Sequence, residues 1–320
     1  MKANNNFGMA QGRSRCLYTL IAVLLFCATP VIHAAEGGVD VYVPGFYGDF
    51  QMAVLPEKGL TYLNYLLYSK TDADIASRQD LIHLDLESEL IANTFGLLYA
   101  SDKKIFGGRY FASIYVPLMH AELDARVETG NDFQPMSAGN AGLADVYAVP
   151  IGINWQWDSV SINFFQGINV PVGKYDVDDP LNLGLNRWAS DTNVAITWLD
   201  QNGPFEVNLD LGYLINGTNS DTDYRSGNAF HIDYSVGYHA SESLSVALIG
   251  YGYRQVTGDS GTGAILGSFK GRSYGLGAAV SYVFDTKTPF VLTGKWLHDL
   301  NSSNRMKGDY AYLVVVVPIG

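Results

Sequence analysis

The amino-acid sequence predicts an all-β protein, a transmembrane antiparallel up-and-down β-barrel of about twelve strands. Three observations indicate this fold. Apolar and polar residues alternate over long stretches, the connections between these stretches are alternately short and long, and charged residues make up only 16% of the 320-residue chain. A typical soluble domain has about 25% charged residues. The composition is therefore typical of a surface that meets something other than water.

The alternation is clearest from Phe205 to Tyr213, where odd-numbered positions are apolar and even-numbered positions are polar or glycine. Successive side chains of a strand point to opposite faces. In a barrel, Val207 and Leu209 would then face lipid, while Asn208 would face the lumen. A soluble β-sandwich with rings in its core shows the same alternation, so the connections have to distinguish the two folds.

Twelve stretches are predicted as strands, and most of them reach the length of about 9–11 residues that a tilted strand needs to cross a membrane. They span about Leu60–Ser69, Ile82–Tyr99, Arg109–His120, Leu143–Trp157, Ser159–Lys174, Trp188–Leu199, Phe205–Asn216, Phe230–His239, Leu244–Val256, Arg272–Phe284, Phe290–His298 and Gly308–Ile319. An even number of strands allows an antiparallel sheet to close, which a barrel in lipid requires.

The connections alternate in length. Those after the even-numbered strands are short, at residues 101–108, 158, 200–204, 240–243 and 285–289. Those after the odd-numbered strands are mostly long and polar, at residues 121–142, 175–187, 217–229 and 257–271. Short turns at one end and long loops at the other are typical of an outer-membrane barrel, with the long loops outside the cell. The aromatic residues Trp155, Trp157, Trp198, Tyr238 and Tyr282 lie near the short turns, where an interfacial girdle is expected.

The N-terminus predicts export. Residues 1–34 combine Lys2, Arg13 and Arg15 with a short apolar run and a small residue before Ala35, which is the pattern of a cleaved signal peptide. The apolar run is shorter than the roughly 20 residues of a membrane anchor. Residues 35–58 do not fit a spanning strand and are predicted as a periplasmic tail or a plug in the lumen. The barrel is predicted to span residues 59–320, in the outer membrane of a Gram-negative bacterium.

Charge restricts the partners. Removing the signal leaves 17 basic residues against 32 acidic ones, a net charge of −15, which argues against nucleic acid. Basic residues nevertheless gather near the long loops, at Arg187, Arg225, Arg254, Lys270, Arg272, Arg305 and Lys307. Arginine suits phosphate, so lipopolysaccharide is a predicted partner, beside membrane lipid and the barrel-assembly machinery. Internal pairing with Asp223 and Asp259 is the competing interpretation of the same residues.

The sequence contains no recognisable motif of a soluble enzyme, and we predict no catalytic site, no cofactor and no metal site. His231, with Ser226 and Asp223, would allow a triad to be drawn, but a histidine hydrogen-bonded inside a wet lumen is the favoured interpretation. Acidic residues Asp85, Glu87 and Glu89 share one strand face with His83. That row would suit a cation or pore selectivity, although a solvated strand face is favoured.

The second half of the chain carries a distinctive motif, GYGYRQVTGDSG at residues 250–261. It is supported by PVGKY at 171–175, NLG at 182–184, NRW at 186–188, TDYRSG at 222–227 with His231 following, and NR at 304–305 before Gly308. Over roughly residues 142–318 the chain resembles the outer-membrane family known as the putative meta-pathway of phenol degradation. Two departures are Ala144, where glycine is usual, and Gly320 in place of a terminal aromatic residue.

The resemblance implies a barrel encoded beside aromatic-degradation pathways and proposed to admit hydrophobic substrates. Phe165 and Leu214 lie on otherwise polar faces and are therefore candidate lining residues. The loop at 257–271, with Asp259 and Arg272, is a candidate gate, and a structural loop locked by an Asp–Arg pair is an equal alternative. The complete set of lumen and gate candidates is Phe165, Asn208, Asp210, Leu214, Asp223, Arg225, His231, Asp233, Arg254, Gln255, Asp259, Arg272 and Lys295.

Three functions remain open from the sequence. The first is an outer-membrane channel for uptake of small hydrophobic or aromatic compounds. The second is a lipid-modifying barrel enzyme, which needs a hydroxyl, an imidazole and a carboxylate in contact. The third is a structural or lipopolysaccharide-binding barrel with a blocked lumen.

Overall fold

The computed structural model describes residues 39–76, 82–129, 132–264 and 267–320, so the predicted signal peptide lies outside the described residues. The strands are β1 (Gly59–Ala76), β2 (Ile82–Ile105), β3 (Gly108–Thr129), β4 (Asp132–Leu143), β5 (Val146–Gln156), β6 (Val160–Val170), β7 (Ala189–Leu199), β8 (Phe205–Asn216), β9 (Thr218–Asn219), β10 (Tyr224–Arg225), β11 (Ala229–His239), β12 (Leu244–Gln255), β13 (Arg272–Phe284), β14 (Phe290–Ser303) and β15 (Lys307–Pro318). Across these ranges, no helix is long and apolar enough to cross a membrane.

The predicted barrel of twelve strands is confirmed. Each wall strand pairs antiparallel with its neighbours, and the sheet closes because β15 pairs with β1 while β2 pairs with both β1 and β3. Strands β4 and β5 count as one wall strand, since β3 pairs with β4 along its second half and with β5 along its first half. The small pair β9–β10 lies outside the wall. Closure leaves no unpaired sheet edge to face lipid.

The two faces of the wall are distributed as the alternation predicts. In β8, Glu206, Asn208 and Asp210 are buried while Val207 and Leu211 are exposed. In β13, every second residue from Ser273 to Ser281 is buried, and the residues between them are exposed. Buried polar residues therefore face the interior, and exposed apolar residues form the lipid-facing surface.

The wall has two different ends. The turn end, which we define by the short connections, carries the start of β1 and the end of β15. Exposed rings collect there, at Trp157, Trp198, Tyr238 and Tyr282. Phe205 packs against Tyr238 with ring centroids 5.4 Å apart. This is the arrangement expected of an aromatic girdle at a membrane interface. We term the opposite end, with the long connections, the loop end.

The prediction of a long loop over residues 121–142 is wrong. The chain there continues as β3 to Thr129 and returns as β4, and β1 also extends past its predicted end, to Ala76. At its loop end β2 begins at Ile82, as predicted. Alternation continues into this region, where Ala121 and Ala125 are buried and Glu122 and Asp124 are exposed. Since Leu86 packs against Ala125, the extended hairpins have an apolar side of their own to bury.

The fourth predicted strand, Leu143–Trp157, is interrupted at Ala144 and Asp145. The Asp145 carboxylate accepts hydrogen bonds from Gly173 N and Leu185 N, each at 2.9 Å. It also accepts one from Asn169 Nδ2 at 2.9 Å. These bonds fold the loop between β6 and β7 against the wall, and they replace ladder pairing at that position.

Residues 39–55 lie inside the barrel, and we term them the inner segment. The buried Tyr42 packs in one cluster with Tyr251 and Tyr253 of β12, and the buried Ala53 and Leu55 pack in another with Phe111 and Phe165. The segment forms no strand. Its backbone groups instead bond within the segment, as Phe46 N does with the Val43 carbonyl, and to side chains of the wall, as Ala53 N does with Thr197. Buried backbone groups require such partners.

Candidate functional site in the barrel interior

Strands β7, β8 and β11 place a cluster of charged side chains inside the barrel. The register of β8 and β11 puts Asp210 directly opposite Asp233, and both are buried. His231 lies two residues before Asp233, on the same face, and its Nε2 is 2.9 Å from Oδ1 of Asp191 on β7. We term Asp191, Asp210, His231 and Asp233 the lumen cluster. Like charges placed opposite each other in an antiparallel pair repel, so the stability of this cluster depends on its donors and cations.

The inner segment docks on the lumen cluster. The Tyr42 hydroxyl donates a hydrogen bond to Asp233 Oδ2 at 2.9 Å, and Gly45 N donates to Oδ1 at 3.1 Å. The Tyr42 ring stacks on His231 with centroids 4.4 Å apart. From β14, Lys295 Nζ donates to the Gly45 carbonyl at 2.7 Å. Two sides of the barrel therefore hold the same short stretch of the segment.

Lys295 also neutralises part of the inner segment. Its Nζ lies 3.0 Å from Asp49 Oδ2, and it lies 4.9 Å from the centre of the Tyr312 ring. The Tyr312 hydroxyl in turn donates to the Pro44 carbonyl at 2.6 Å. A buried ammonium group needs such partners, because burial of an unpaired charge is strongly unfavourable.

Nearer the turn end, three consecutive backbone N–H groups of the inner segment donate to side chains of the wall. They run from Gln51 N to Glu206 Oε1 (3.1 Å), from Met52 N to Asn208 Oδ1 (3.2 Å) and from Ala53 N to Thr197 Oγ1 (2.9 Å). Asn154 Nδ2 donates to the Ala53 carbonyl at 2.9 Å. The polar face that the sequence assigns to the lumen thus acts as a set of hydrogen-bond acceptors for this segment.

A hydroxyl, an imidazole and a carboxylate meet close to the turn end. His239 Nδ1 is 2.8 Å from Ser245 Oγ, and His239 Nε2 is 2.8 Å from Glu206 Oε2. The other Glu206 oxygen accepts from Asn208 Nδ2 at 2.7 Å as well as from Gln51 N. The sequence did not single out Ser245 or His239, because the three residues belong to three different strands.

Aromatic side chains occupy the adjoining side of the interior, where the Tyr147 hydroxyl donates to Asp191 Oδ2 at 3.0 Å. We term Tyr65, Phe111, Tyr115, Tyr147 and Phe165 the ring wall. Phe46 of the inner segment stacks on Tyr65 with centroids 4.6 Å apart and meets Tyr115 edge-on at 5.6 Å. The ring centroids of the neighbouring Tyr47 and Phe165 are 5.8 Å apart. The Tyr47 hydroxyl donates to the Tyr147 hydroxyl at 3.0 Å.

Residues of the loops close the loop end over the inner segment. The Arg187 guanidinium lies 3.4 Å from Asp40, with both side chains fully buried, and the Arg305 guanidinium lies 3.8 Å from the centre of the Tyr253 ring. Asp40 also accepts from the Tyr253 hydroxyl. These contacts tie Asp40, at the start of the inner segment, to the loop after β6 and to β12, and Arg305 covers the Tyr253 ring.

Asp259 holds the predicted gate loop through hydrogen bonds from residues other than Arg272. Its carboxylate accepts from the Tyr224 hydroxyl at 2.7 Å, from Gly227 N at 2.9 Å and from Gln255 Nε2 at 2.6 Å. Burial raises the pKa of Asp259, and these hydrogen bonds oppose that shift. The Asp–Arg lock proposed from the sequence is therefore not the pairing that Asp259 makes.

The other candidates fall into three groups. Asn208, Asp210, His231, Asp233 and Lys295 meet around the inner segment, and the candidate lining residues Phe165 and Leu214 are buried in the interior. Asp223 and Arg225 lie in a loop, where Thr262 donates to Asp223 and Arg225 Nε donates to the Asn216 carbonyl. Arg254 and Arg272 are exposed on the outer face, opposite each other on β12 and β13.

The triad considered for His231, Ser226 and Asp223 would need the Asp223 carboxylate to hold His231. Instead, His231 pairs with Asp191, and Asp223 accepts a hydrogen bond from Thr262. Sequence reasoning missed Asp191, although it lies on the polar face of an alternating stretch. It also missed Tyr42, since nothing in the sequence showed where the inner segment would lie.

One family profile and one solved channel structure agree with this architecture. The sequence profile of the family described as "Putative MetA-pathway of phenol degradation" matches residues 71–314. The COG4313 outer membrane channel from Pseudomonas putida F1 superposes with a TM-score of 0.62 and 17% identity, over 86% of this chain and 99% of that one. A FadL homologue from Pseudomonas aeruginosa gives a TM-score of 0.41 and 8% identity, over 92% and 98%. No curated protein sequence matches the chain.

The fold defines the class of this protein as a closed transmembrane β-barrel of the outer-membrane type. The profile match covers well over half of the chain. The chain belongs to the family of the phenol-degradation MetA pathway, as the motif at residues 250–261 predicts.

Proposed function

We propose that this protein is an outer-membrane channel for small hydrophobic or aromatic compounds, and that passage requires movement of the inner segment. The observation that carries the proposal is the ring wall, which gives a transmembrane barrel an aromatic surface along one side of its interior. Aromatic side chains bind apolar and aromatic solutes through surface burial and ring packing. Membership of a family named for phenol degradation supports this class of solute.

The contacts between the inner segment and the wall are compatible with movement of the segment. The segment is attached by individual hydrogen bonds, by ring contacts and by the Lys295–Asp49 ion pair. A single hydrogen bond contributes about 0.5–1.5 kcal/mol net, because water offers an alternative partner. Such a set holds a closed resting position and still allows a solute that binds the ring wall to displace part of the segment.

The packing of the inner segment also favours a second candidate function, a structural barrel with a blocked lumen. Arg254, Lys270, Arg272 and Lys307 are exposed near the loop end, where lipopolysaccharide phosphates would lie in an outer membrane. Both candidates share the same resting structure. They differ in whether the inner segment moves.

A disulfide tether distinguishes the two candidates. A Cβ atom on Gly48 would lie 3.9 Å from the Asp233 Cβ, within the range of about 3.5–4.5 Å found in disulfides. The two cysteines of the chain, Cys16 and Cys27, lie in the predicted signal. The double variant Gly48→Cys/Asp233→Cys would therefore contain only the introduced pair, and Asp233→Cys alone is the matched control, because it lacks the same carboxylate and cannot form the tether.

Uptake of a labelled monocyclic aromatic compound, at low concentration, would be measured in cells with and without the protein. We expect faster uptake with the wild type, slow uptake with the oxidised double variant, and recovery after reduction. The control should respond to neither treatment. Equal uptake with and without the wild type would reject the channel, and equal uptake before and after reduction would reject movement of the inner segment.

The contact of Ser245, His239 and Glu206 favours an enzyme as a further candidate. These residues face the interior at the turn end, away from the lipid-facing surface. A fluorophosphonate probe tests this alternative, since an activated serine would be labelled and Ser245→Ala would abolish the labelling. We expect no labelling that depends on Ser245.

A further inference from the structure

The lumen cluster contains buried groups whose bonding capacity the described residues do not use. Asp210 and Asp233 are both 0% exposed, and His231 is 2% exposed. Neither carboxylate oxygen of Asp210 has a hydrogen-bond partner among the described residues, and the same is true of His231 Nδ1. Buried polar groups of folded proteins are nearly always paired, so three unpaired atoms in one cluster indicate a missing partner.

Strand register brings these groups together. Asp210 on β8 faces Asp233 on β11, and His231 faces Gly212. A Cβ atom at position 212 would collide with the His231 ring, so glycine there leaves room for the imidazole over β8. One ligand atom from each of Asp210, His231 and Asp233 can be chosen so that all three lie within 4.8 Å of one another.

The charge of the cluster favours a cation. Three carboxylates, Asp191, Asp210 and Asp233, surround one imidazole. The Lys295 ammonium is engaged with Asp49 and the Gly45 carbonyl. A cation bound between Asp210 and Asp233 would give these buried carboxylates a partner, and burial of a carboxylate without one is strongly unfavourable.

The orientation of His231 suits a metal ligand. Its Nε2 lies 2.9 Å from Asp191 Oδ1, so the proton on Nε2 is bonded and the Nδ1 lone pair is left for another partner. A carboxylate that orients the second nitrogen of a ligating histidine is a common feature of metal sites. One imidazole and two carboxylates form a ligand set that suits Zn²⁺ and related divalent ions.

We propose that Asp210, His231 and Asp233 bind a divalent transition-metal ion, with Asp191 as the positioning residue for His231. The sequence predicted no metal site, because the ligands lie on two strands and follow no contiguous motif. Asp233 also accepts hydrogen bonds from Tyr42 and Gly45. The ion therefore sits where the inner segment meets the wall. This proposal does not depend on what the channel transports.

The test is the metal content of the folded full-length mature protein in detergent. The protein would be stripped with a chelator, equilibrated with Zn²⁺ alone, freed of unbound metal and analysed by inductively coupled plasma mass spectrometry. We expect about one tightly bound zinc ion per chain. Asp210→Asn and His231→Gln should each lower zinc binding at least tenfold.

The matched control is His120→Gln, because His120 and Glu122 form an exposed pair 3.2 Å apart that would bind zinc adventitiously. The control should keep its zinc. Zinc that is lost in His120→Gln and kept in His231→Gln would overturn the proposal, as would a wild type that binds none.

A second readout covers the case in which a variant fails to fold. The wild-type protein loaded with Co²⁺ should show visible absorption bands of a low-symmetry site with a nitrogen ligand. His120→Gln should leave that spectrum unchanged. A wild-type spectrum identical to that of hydrated Co²⁺ would contradict the proposal without any variant of the lumen cluster.

Discussion

The two sides of the barrel interior contact the same inner segment in different ways. On β7, β8 and β11, hydroxyl, amide and acidic side chains accept hydrogen bonds from its backbone. On the ring wall, aromatic side chains pack against Phe46 and Tyr47. Hydrogen bonds fix position and direction, whereas ring packing tolerates a change of partner. The polar side therefore determines where the segment rests, and we expect an apolar solute to use the ring wall.

The largest expected effect is on the unfolding free energy, and it distinguishes the lipid-facing and interior faces of β8. Leu209→Lys places a charge on the lipid-facing surface of β8, and we expect a loss of about 2–4 kcal/mol in unfolding free energy near mid-membrane. Asn208→Lys is the matched change on the interior face, where Glu206 lies within hydrogen-bond distance of the native side chain and can pair with the ammonium. It should mainly alter the docking of Met52. Denaturant unfolding in lipid vesicles measures both. Equal losses would contradict the assignment of the faces.

Asp233→Ala tests the polar side itself. It removes the acceptor of Tyr42 and Gly45, and leaving buried donors unpaired costs about 1–3 kcal/mol each. We expect a less firmly held inner segment and a higher single-channel conductance in planar bilayers. Ser281→Ala, which removes an interior hydroxyl bonded to Thr293, is the control. A conductance that rises equally in both variants would count against a specific role for Asp233.

Phe165→Ala tests the ring wall. It removes ring contacts with Tyr47 and Phe111, and an aromatic pair contributes about 0.5–1.5 kcal/mol beyond its burial. We expect a several-fold fall in uptake of an aromatic compound with little change in ion conductance. Phe164→Ala is the matched control, because Phe164 is the adjacent ring on the exposed face. Equal effects of the two substitutions would remove the distinction between the two sides.

The smallest expected effect lies in the loops that cover the interior. Hydrogen bonds from the Thr262 backbone N–H and hydroxyl lower the pKa of Asp223. A lowered pKa means that the ionised form is favoured in the folded loop. Its contribution is therefore present above the unfolded-state pKa and is lost as pH falls through the folded-state value.

Proteolysis of the loop at decreasing pH measures this effect. We expect faster cleavage at acidic pH in the wild type and a flatter pH profile in Asp223→Asn. Asparagine tolerates the positive φ of 50° at this position, so the variant changes the charge with little backbone strain. A profile unchanged by the substitution would show that Asp223 is not the responsible group.

Local sequence patterns were sufficient to predict the strands of the wall. They were insufficient to predict the connection at residues 121–142 or the contacts in the interior. Val207 and Asn208 were assigned to opposite faces correctly, because alternation depends only on neighbouring residues. Alternation of buried and exposed residues also holds at Ala121 and Ala125. The region was nevertheless predicted as a loop, because its composition is polar. In the interior, Asp210 and His231 were named as candidates, yet their partner Asp191 and the contact of Ser245 with His239 were missed. Those contacts depend on which strands become neighbours.

The sequence by itself determined the transmembrane barrel, its number of strands, its lipid-facing and interior faces, and its family. These properties follow from periodicity, connection lengths and a contiguous motif, all of which are local in the chain. Only the tertiary structure decided that residues 39–55 enter the lumen, that Asp210 faces Asp233, and that Tyr42 lies between His231 and Tyr253. Residues separated by up to 268 positions meet there. Closure of the sheet sets such distances, and no local pattern contains them.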